Sequence, residues 1–397
     1  MPVRANLLKI AAIMLIALGM SGATVALADN GVDATSIKLG TSNAQTGSAA
    51  ALGTGVNAGI KAFWTRINAA GGINHRQVSV VTYDDAYEPA QCVGNTRKLI
   101  EKDQVFALIG GVGTPTSVAL LPILDKSDVI FFAPYTGAGS LRTPVRPNIF
   151  HVRASYGDET EGLVEHLTTD LGVKTIAAFI QDDAYGNAGL TGLNKALTKR
   201  GLTLAAKGTY ARNTTDVDAA VAAISAFKPD AVVMVGAYPA CAAFVKQCHA
   251  AGFKPIFCNI SFVGTAAFIK AAGPDAEGVF ISQVMPSPFD ATLPIVKQYQ
   301  ADMTAIGNTE FDYTSLEGYV SAAVFNEALK NAGDTPTRAS VAAALSNLQV
   351  DLGGFAVHYD PATHLAGNAV FFTRVTDGKP VPVTSFSAGA SQVTHAN

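Results

Sequence analysis

The chain has 397 residues, 49% of them apolar and 15% charged, a balance suited to a packed globular protein and not to a disordered one. Its 28 Lys and Arg stand against 31 Asp and Glu, a net charge of −3 with no basic cluster, which argues against a nucleic-acid partner. Arg4 and Lys9 flank the start, an apolar run extends from Ile10 to Gly19, and Ala26-Leu27-Ala28 forms an A-x-A site. That pattern predicts a cleaved secretory signal peptide over 1–28 and a periplasmic destination. No cysteine stands at the cleavage site, so no lipid anchor is expected, and no later stretch is apolar enough to span a bilayer. The remaining 369 residues are large for one core and comfortable for two lobes. Cys92, Cys241, Cys248 and Cys258 follow no zinc spacing; an oxidising compartment permits a disulfide, and Cys248 with Cys258 is the pair that could form one.

The first strand is expected over 36–41, ending in the polar run SNAQTGSAAALG. Val56, Ile60, Phe63 and Ile67 then recur at helical spacing, and Gly71-Gly72 closes that helix. A strand over 78–83, a helix over 89–102 and a buried strand over 105–110 follow. Gly111 and Gly113 permit a sharp turn, Thr114 can cap the next helix, and Pro115 suits its first position. Leu120, Leu121 and Leu124 give that helix an apolar face. The strand over 129–133 empties into Pro134-Tyr135-Thr136-Gly137. This alternation is the mark of a parallel, doubly wound sheet. Its two hydroxyl-bearing turns fall on the edge where open α/β sheets bind ligands. The Thr114 and Thr116 hydroxyls and the free N–H groups of the helix start would suit a carboxylate; equally, Thr-Pro-Thr is an ordinary cap.

The proline-rich segment RTPVRPNIFHVRAS reads as the exit from the first lobe, after which the alternation restarts. Strands are expected over 175–180, 203–207, 231–235, 255–259 and 278–282, with helices over 188–199, 216–227 and 240–251. VMPSPFD marks a second crossing, and helices over 293–306 and 315–332 return to the first lobe. A strand over 351–360 turns at Asp360-Pro361, and one over 368–375 crosses once more. The fold class is therefore α/β: two Rossmann-like doubly wound lobes joined by a three-strand hinge. Lobe 1 takes 29–154 plus 285–362, and lobe 2 takes 155–284 plus 363–397. The cleft between them is the natural ligand site.

Eight segments, in order, carry a family likeness: NAAGGINHRQVSVVTYDDAYEP, GGVGTPTS, FFAPYTGAGSLR, FHVRASYGDE, IQDDAYGNAG, VGAYPACAAF, CNISFVG and YTSLEGYVSAA. In that order and spacing the chain resembles the branched-chain amino acid-type, leucine-binding protein-like periplasmic solute-binding proteins of ABC importers, over essentially all of the mature chain. The resemblance implies a type I periplasmic binding protein fold and residue roles. By position Thr114, then Tyr135, Thr136 and Gly137, would hold a ligand carboxylate; Thr114 keeps the hydroxyl of a relative's serine, while Tyr135 replaces a small residue. Tyr185 and Tyr238 match tyrosines that face the ligand, although core packing would also explain them. Leu52 stands where a relative has a rim tyrosine, and Phe311 and Tyr313 match an aromatic wall.

One departure bears on the ligand. Ser261 occupies the position of the glutamate that pairs with a ligand ammonium in relatives. A buried ammonium needs an anionic or multiply accepting partner, and a serine hydroxyl alone is a poor substitute. Either Asp85, Asp182, Asp183 or Glu317 replaces it, or the ligand has no ammonium. The ligand is accordingly an amino acid or a related small carboxylate or amide. The resemblance implies a monomer that delivers to an inner-membrane ABC permease, without cofactor or metal; a sensing module feeding a membrane kinase would use the same fold. Neither G-x-S-x-G nor H-E-x-x-H occurs, so no enzyme is expected.

Overall fold

The structure, a computed structural model, describes residues 29–387, so the expected signal peptide lies outside the described residues. The first lobe is built on β1 (Ser36–Asn43), α1 (Ala50–Ala69), β2 (Gln77–Asp84), α2 (Pro89–Glu101), β3 (Ala107–Ile109), α3 (Thr114–Ala119), α4 (Leu121–Leu124), β4 (Ile130–Phe132) and β5 (Ile149–Phe150). The second is built on α5 (Tyr156–Thr169), β6 (Ile176–Gln181), α6 (Ala184–Lys199), β7 (Lys207–Tyr210), α7 (Asp218–Ser225), β8 (Ala231–Val235), α8 (Tyr238–Ala250), β9 (Ile256–Asn259), α9 (Thr265–Ala272) and β10 (Phe280–Gln283). Then come α10 (Pro294–Ala305), α11 (Tyr313–Asn331), α12 (Arg338–Ser346), the hairpin β11 (Gln349–Asp351) and β12 (Ala356–His358), and finally β13 (Phe371–Thr376) and β14 (Lys379–Val383).

The first sheet has the order β2-β1-β3-β4-β5, all parallel. The second repeats that order as β7-β6-β8-β9-β10 and adds β13 and β14 antiparallel at its far edge. Each lobe thus reverses strand order between its first and third strands, and the crevice at such a reversal, beyond the carboxyl ends, is where ligands bind in open α/β sheets. The central strands β6 and β8 are buried throughout, which is why IAAFIQ and AVVMV are nearly unbroken apolar runs.

The chain returns to the first lobe through α11. Its axis crosses α1 so closely that a Cβ on Gly59 would stand 1.8 Å from Ser315 O, and one on Gly318 2.1 Å from Val56 O. Only glycine permits that approach. Three chain segments run side by side between the lobes: His151 N donates to His364 O at 3.0 Å, Ala366 N to His151 O at 3.0 Å, and Val152, Val284 and Ala366 line one small cavity of about 120 Å³.

Several local expectations shift. The strand expected over 203–207 is regular only from Lys207, although Ala205 N already donates to Ile176 O at 2.9 Å. The strand expected over 351–360 is a hairpin, because Asp351 Oδ1 accepts from Gly353 N at 2.8 Å and Gly354 N at 2.7 Å and turns the chain. Pro122 separates α3 from α4 where one helix was expected. The helices α5, α9 and α12 and the strands β5 and β14 were not anticipated; β14 carries Pro380 and Pro382, tolerated because it is an edge strand. All four cysteines are buried and free, so Cys248 and Cys258 are not bridged.

Candidate ligand site

The carboxyl ends of β3 and β4 release two turns that touch. Val112 and Tyr135 form a parallel bridge, and Tyr135 N donates to Gly111 O at 2.8 Å. Thr114 does not cap α3; Gly113 occupies the cap position, at φ +100°. A Cβ on Gly113 would stand 2.2 Å from the Tyr87 ring, so glycine serves both conformation and space there. Freed from capping, the Thr114 hydroxyl meets the Thr136 hydroxyl at 2.7 Å, fully buried. Thr116 bonds back to the carbonyls of Val112 and Gly113, so its hydroxyl serves the helix start. Gly137 O accepts from Tyr156 N at 2.8 Å, and a Cβ on Gly137 would lie 2.5 Å from the Tyr156 ring.

Into this edge projects Arg153, from the chain segment between β5 and α5. It is 1% exposed, and its guanidinium lies 4.6 Å from the centre of the Tyr135 ring. Its Nη2 donates to Ser261 Oγ. Arg153 Nε faces Glu317 Oε1 on α11 at 3.6 Å, and Nη2 faces Glu159 Oε1 on α5 at 3.7 Å. Burial works against this charge, but Glu317 and Glu159 outweigh it and hold the guanidinium more firmly protonated. Glu159 is itself anchored: its Oε2 accepts from Ser261 N at 2.7 Å and Ser282 Oγ at 2.6 Å. Burial pushes Glu317 up to about 7, with Arg153 and Arg142 pulling the other way and Glu159 adding to the rise. Arg142 pins the edge from behind, donating to the carbonyls of Thr136, Arg153 and Ala154 at 3.2–3.3 Å.

Aromatic rings from both lobes close over the charges. Phe262 lies 5.6 Å from Tyr135, 4.4 Å from Tyr185 and 6.1 Å from Tyr87, and Tyr156 lies 5.4 Å from Tyr185. Tyr185 is fully buried and its hydroxyl has no hydrogen-bond partner. The Tyr156 hydroxyl sits toward Thr136 and Thr114 without a hydrogen bond of regular geometry, and burial pushes it up to about 12.

Of the residues singled out from sequence, Thr114, Tyr135, Thr136, Gly137, Tyr185 and Ser261 come together around Arg153. Thr116 does not present its hydroxyl there. Tyr238 lines a different groove, of about 550 Å³, with Ala51, Thr54, Lys270 and Phe311. Leu52 is fully buried where α9 begins, so close that a Cβ on Gly264 would stand 2.4 Å from it. Of the four carboxylates considered as ammonium partners, Glu317 alone enters the cluster. Asp182 is exposed. Asp183 caps α6 by accepting from Tyr185 N at 2.9 Å, and Asp85 accepts from Ser42 Oγ and Tyr87 N, each at 2.9 Å. Arg153, Glu159, Tyr87, Tyr156 and Phe262 were missed. The available signal was an arginine set among apolar residues in FHVRAS and a glutamate in helical phase with Tyr156, Leu163 and Leu167 on α5.

Two doubly wound lobes meeting over a buried charged and aromatic cluster define a cleft-type solute receptor. The chain belongs to the periplasmic binding protein family, whose model matches residues 36–380, and it has the leucine-binding-like type I fold. It is 26% identical to an amino acid binding protein of Pseudomonas aeruginosa, over 79% of this chain and 82% of that one. Among solved structures it superposes on a possible leucine/isoleucine/valine-binding protein from Rhodopirellula baltica with TM-score 0.84 and 32% identity, covering 89% and 97% of the two chains. A substrate-binding periplasmic protein from Ralstonia solanacearum gives TM-score 0.83 and 30% identity, covering 87% and 100%. These relatives are binding proteins. No helix among the described residues is long and apolar enough to cross a membrane.

Proposed function

We propose that this chain is an extracytoplasmic solute-binding protein that captures one small ligand in the cleft and delivers it to an ABC importer. The ligand is an amino acid or a related small carboxylate or amide. The observation that carries this reading is the convergence on Arg153 of Glu317 from the first lobe and of Glu159 and Ser261 from the second. Such contacts require the lobes to be together, so ligand capture and closure are one coupled event. Names borne by the relatives, amino acid binding and leucine/isoleucine/valine-binding protein, support a ligand of that size. The chain works as a periplasmic monomer after loss of its leader, binds without catalysis, and presents its closed form to an inner-membrane permease.

A thermal-shift screen of the protein lacking residues 1–28 tests this, with amino acids, small carboxylates and small amides as the panel. A ligand at a hundred times its Kd adds about 2.7 kcal/mol to stability, a shift of several degrees. Cells lacking the gene should also fail to accumulate the ligand that scores. A panel in which none of the three classes moves the transition contradicts the reading, and uptake that persists without the gene contradicts its transport half.

A further inference from the structure

Arg153 is only partly satisfied in the cleft. Its Nε and Nη1 have no hydrogen-bond acceptor, and the facing oxygens of Glu317 and Glu159, at 3.6 and 3.7 Å, lie beyond hydrogen-bond reach. The buried hydroxyls of Tyr156 and Tyr185 also lack partners. A buried guanidinium with open N–H groups, flanked by hydroxyls, is matched to a planar two-oxygen anion, because its fork fits a carboxylate bidentately.

Resting on the capture of a small ligand proposed above, we infer that Arg153 anchors the carboxylate of a ligand that carries no ammonium group, an apolar aliphatic or aromatic monocarboxylic acid. Tyr156, its ring 5.9 Å from the guanidinium, turns its hydroxyl toward the Thr114–Thr136 hydroxyl pair, and these three are the donors nearest the ligand's second oxygen in this pose. Both carboxylates that an ammonium would seek already face the Arg153 charge, although Glu159 Oε1 accepts no hydrogen bond. Glu159 Oε2 accepts two hydrogen bonds, and Glu159 Oε1 and Glu317 Oε1 both face Arg153. An ammonium placed on either free oxygen would lie against the guanidinium, with Arg142 as a second cation behind it. The chain thus supplies internally the cation that an amino acid would bring. The rings of Tyr87, Tyr185 and Phe262 give the ligand's body an apolar wall.

The test pairs compounds that differ only in the amino group: 3-phenylpropionate against phenylalanine, and 4-methylpentanoate against leucine, by titration calorimetry at pH 7 on the protein lacking residues 1–28. The expected result is at least fifty-fold tighter binding of an amine-free acid than of its amino acid. Equal or tighter binding of the amino acid overturns the inference and leaves the solute-binding reading standing. Binding of neither class by folded protein overturns both. Arg153→Lys keeps the charge and the long stem but loses the fork. It should fold and bind the better acid ten- to a hundred-fold more weakly; unchanged affinity removes Arg153 as the anchor.

Discussion

Glu317 Oε1 lies 3.6 Å from Arg153 Nε, inside a cluster where burial has pushed the Glu317 carboxyl up to about 7. The side chain is neutral at low pH and must be charged at a cost as pH rises. For a carboxyl raised from 4.5 to about 7, the stability it contributes is fully present below 4.5 and is lost as pH climbs through 7. The loss is on the order of 3 kcal/mol. Glu317→Gln should therefore gain stability relative to the parent between pH 5 and pH 8, read by urea unfolding at both. A difference between the two proteins that does not change with pH contradicts this assignment.

Gly137 and Tyr156 are in backbone contact, and an alanine at 137 would put its Cβ 2.6 Å from Tyr156 N. Backbone cannot yield as a flexible side chain can. Gly137→Ala should cost about 2–4 kcal/mol by unfolding. Gly139→Ala, two residues on, meets nothing within 4 Å and serves as the matched control, expected within about 0.5 kcal/mol of the parent. Equal effects of the two substitutions would refute the close approach.

A second set of contacts spans the lobes at the cleft rim. Arg212, held by Asp183 at 3.3 Å within the second lobe, reaches Glu88 of the first at 2.9 Å, and Asn213 donates to Glu88 Oε1 at 2.6 Å. These groups are partly exposed, so the latch is worth about 1 kcal/mol, or roughly five-fold in affinity if it forms only on closure. Glu88→Gln should raise the ligand's Kd by that factor, with more loss at low salt than at high salt and little change in melting temperature. A Kd that stays constant while the fold weakens would make the contact structural only.

Thr114 and Tyr238 should separate in binding assays. Thr114→Ala removes a hydroxyl buried against Thr136 and should weaken carboxylate binding about ten-fold with the fold intact. Tyr238→Phe alters a residue of the outer groove and should leave affinity within about two-fold. The reverse ranking would move the ligand into that groove.

Most of the fold was legible because its signals are local. Unbroken apolar runs mark the central strands, glycine pairs and proline mark the breaks, and the alternation restarts after 154 as the second sheet does. The hydroxyl pair of the first two turns was legible too, since Thr114 and Thr136 follow adjacent parallel strands. Thr116 was not separable from Thr114, because only the helix phase decides which hydroxyl bonds back to the chain. Arg153 was hidden for a different reason. It lies in an extended crossing segment with no periodicity to read, and its partners Ser261 and Glu317 meet it only once both lobes are folded. The β14 edge strand was masked by two prolines that would exclude a central strand.

The most direct measurement is a crystal structure of the complex with whichever amine-free acid binds tightest. The ligand's carboxylate should lie within about 3 Å of Arg153 Nε or Nη1, with a hydroxyl of Thr114, Thr136 or Tyr156 on its other side and its body against Phe262 and Tyr185. A carboxylate seated in the outer groove beside Tyr238 and Lys270, with Arg153 still paired only to Glu159 and Glu317, would contradict it.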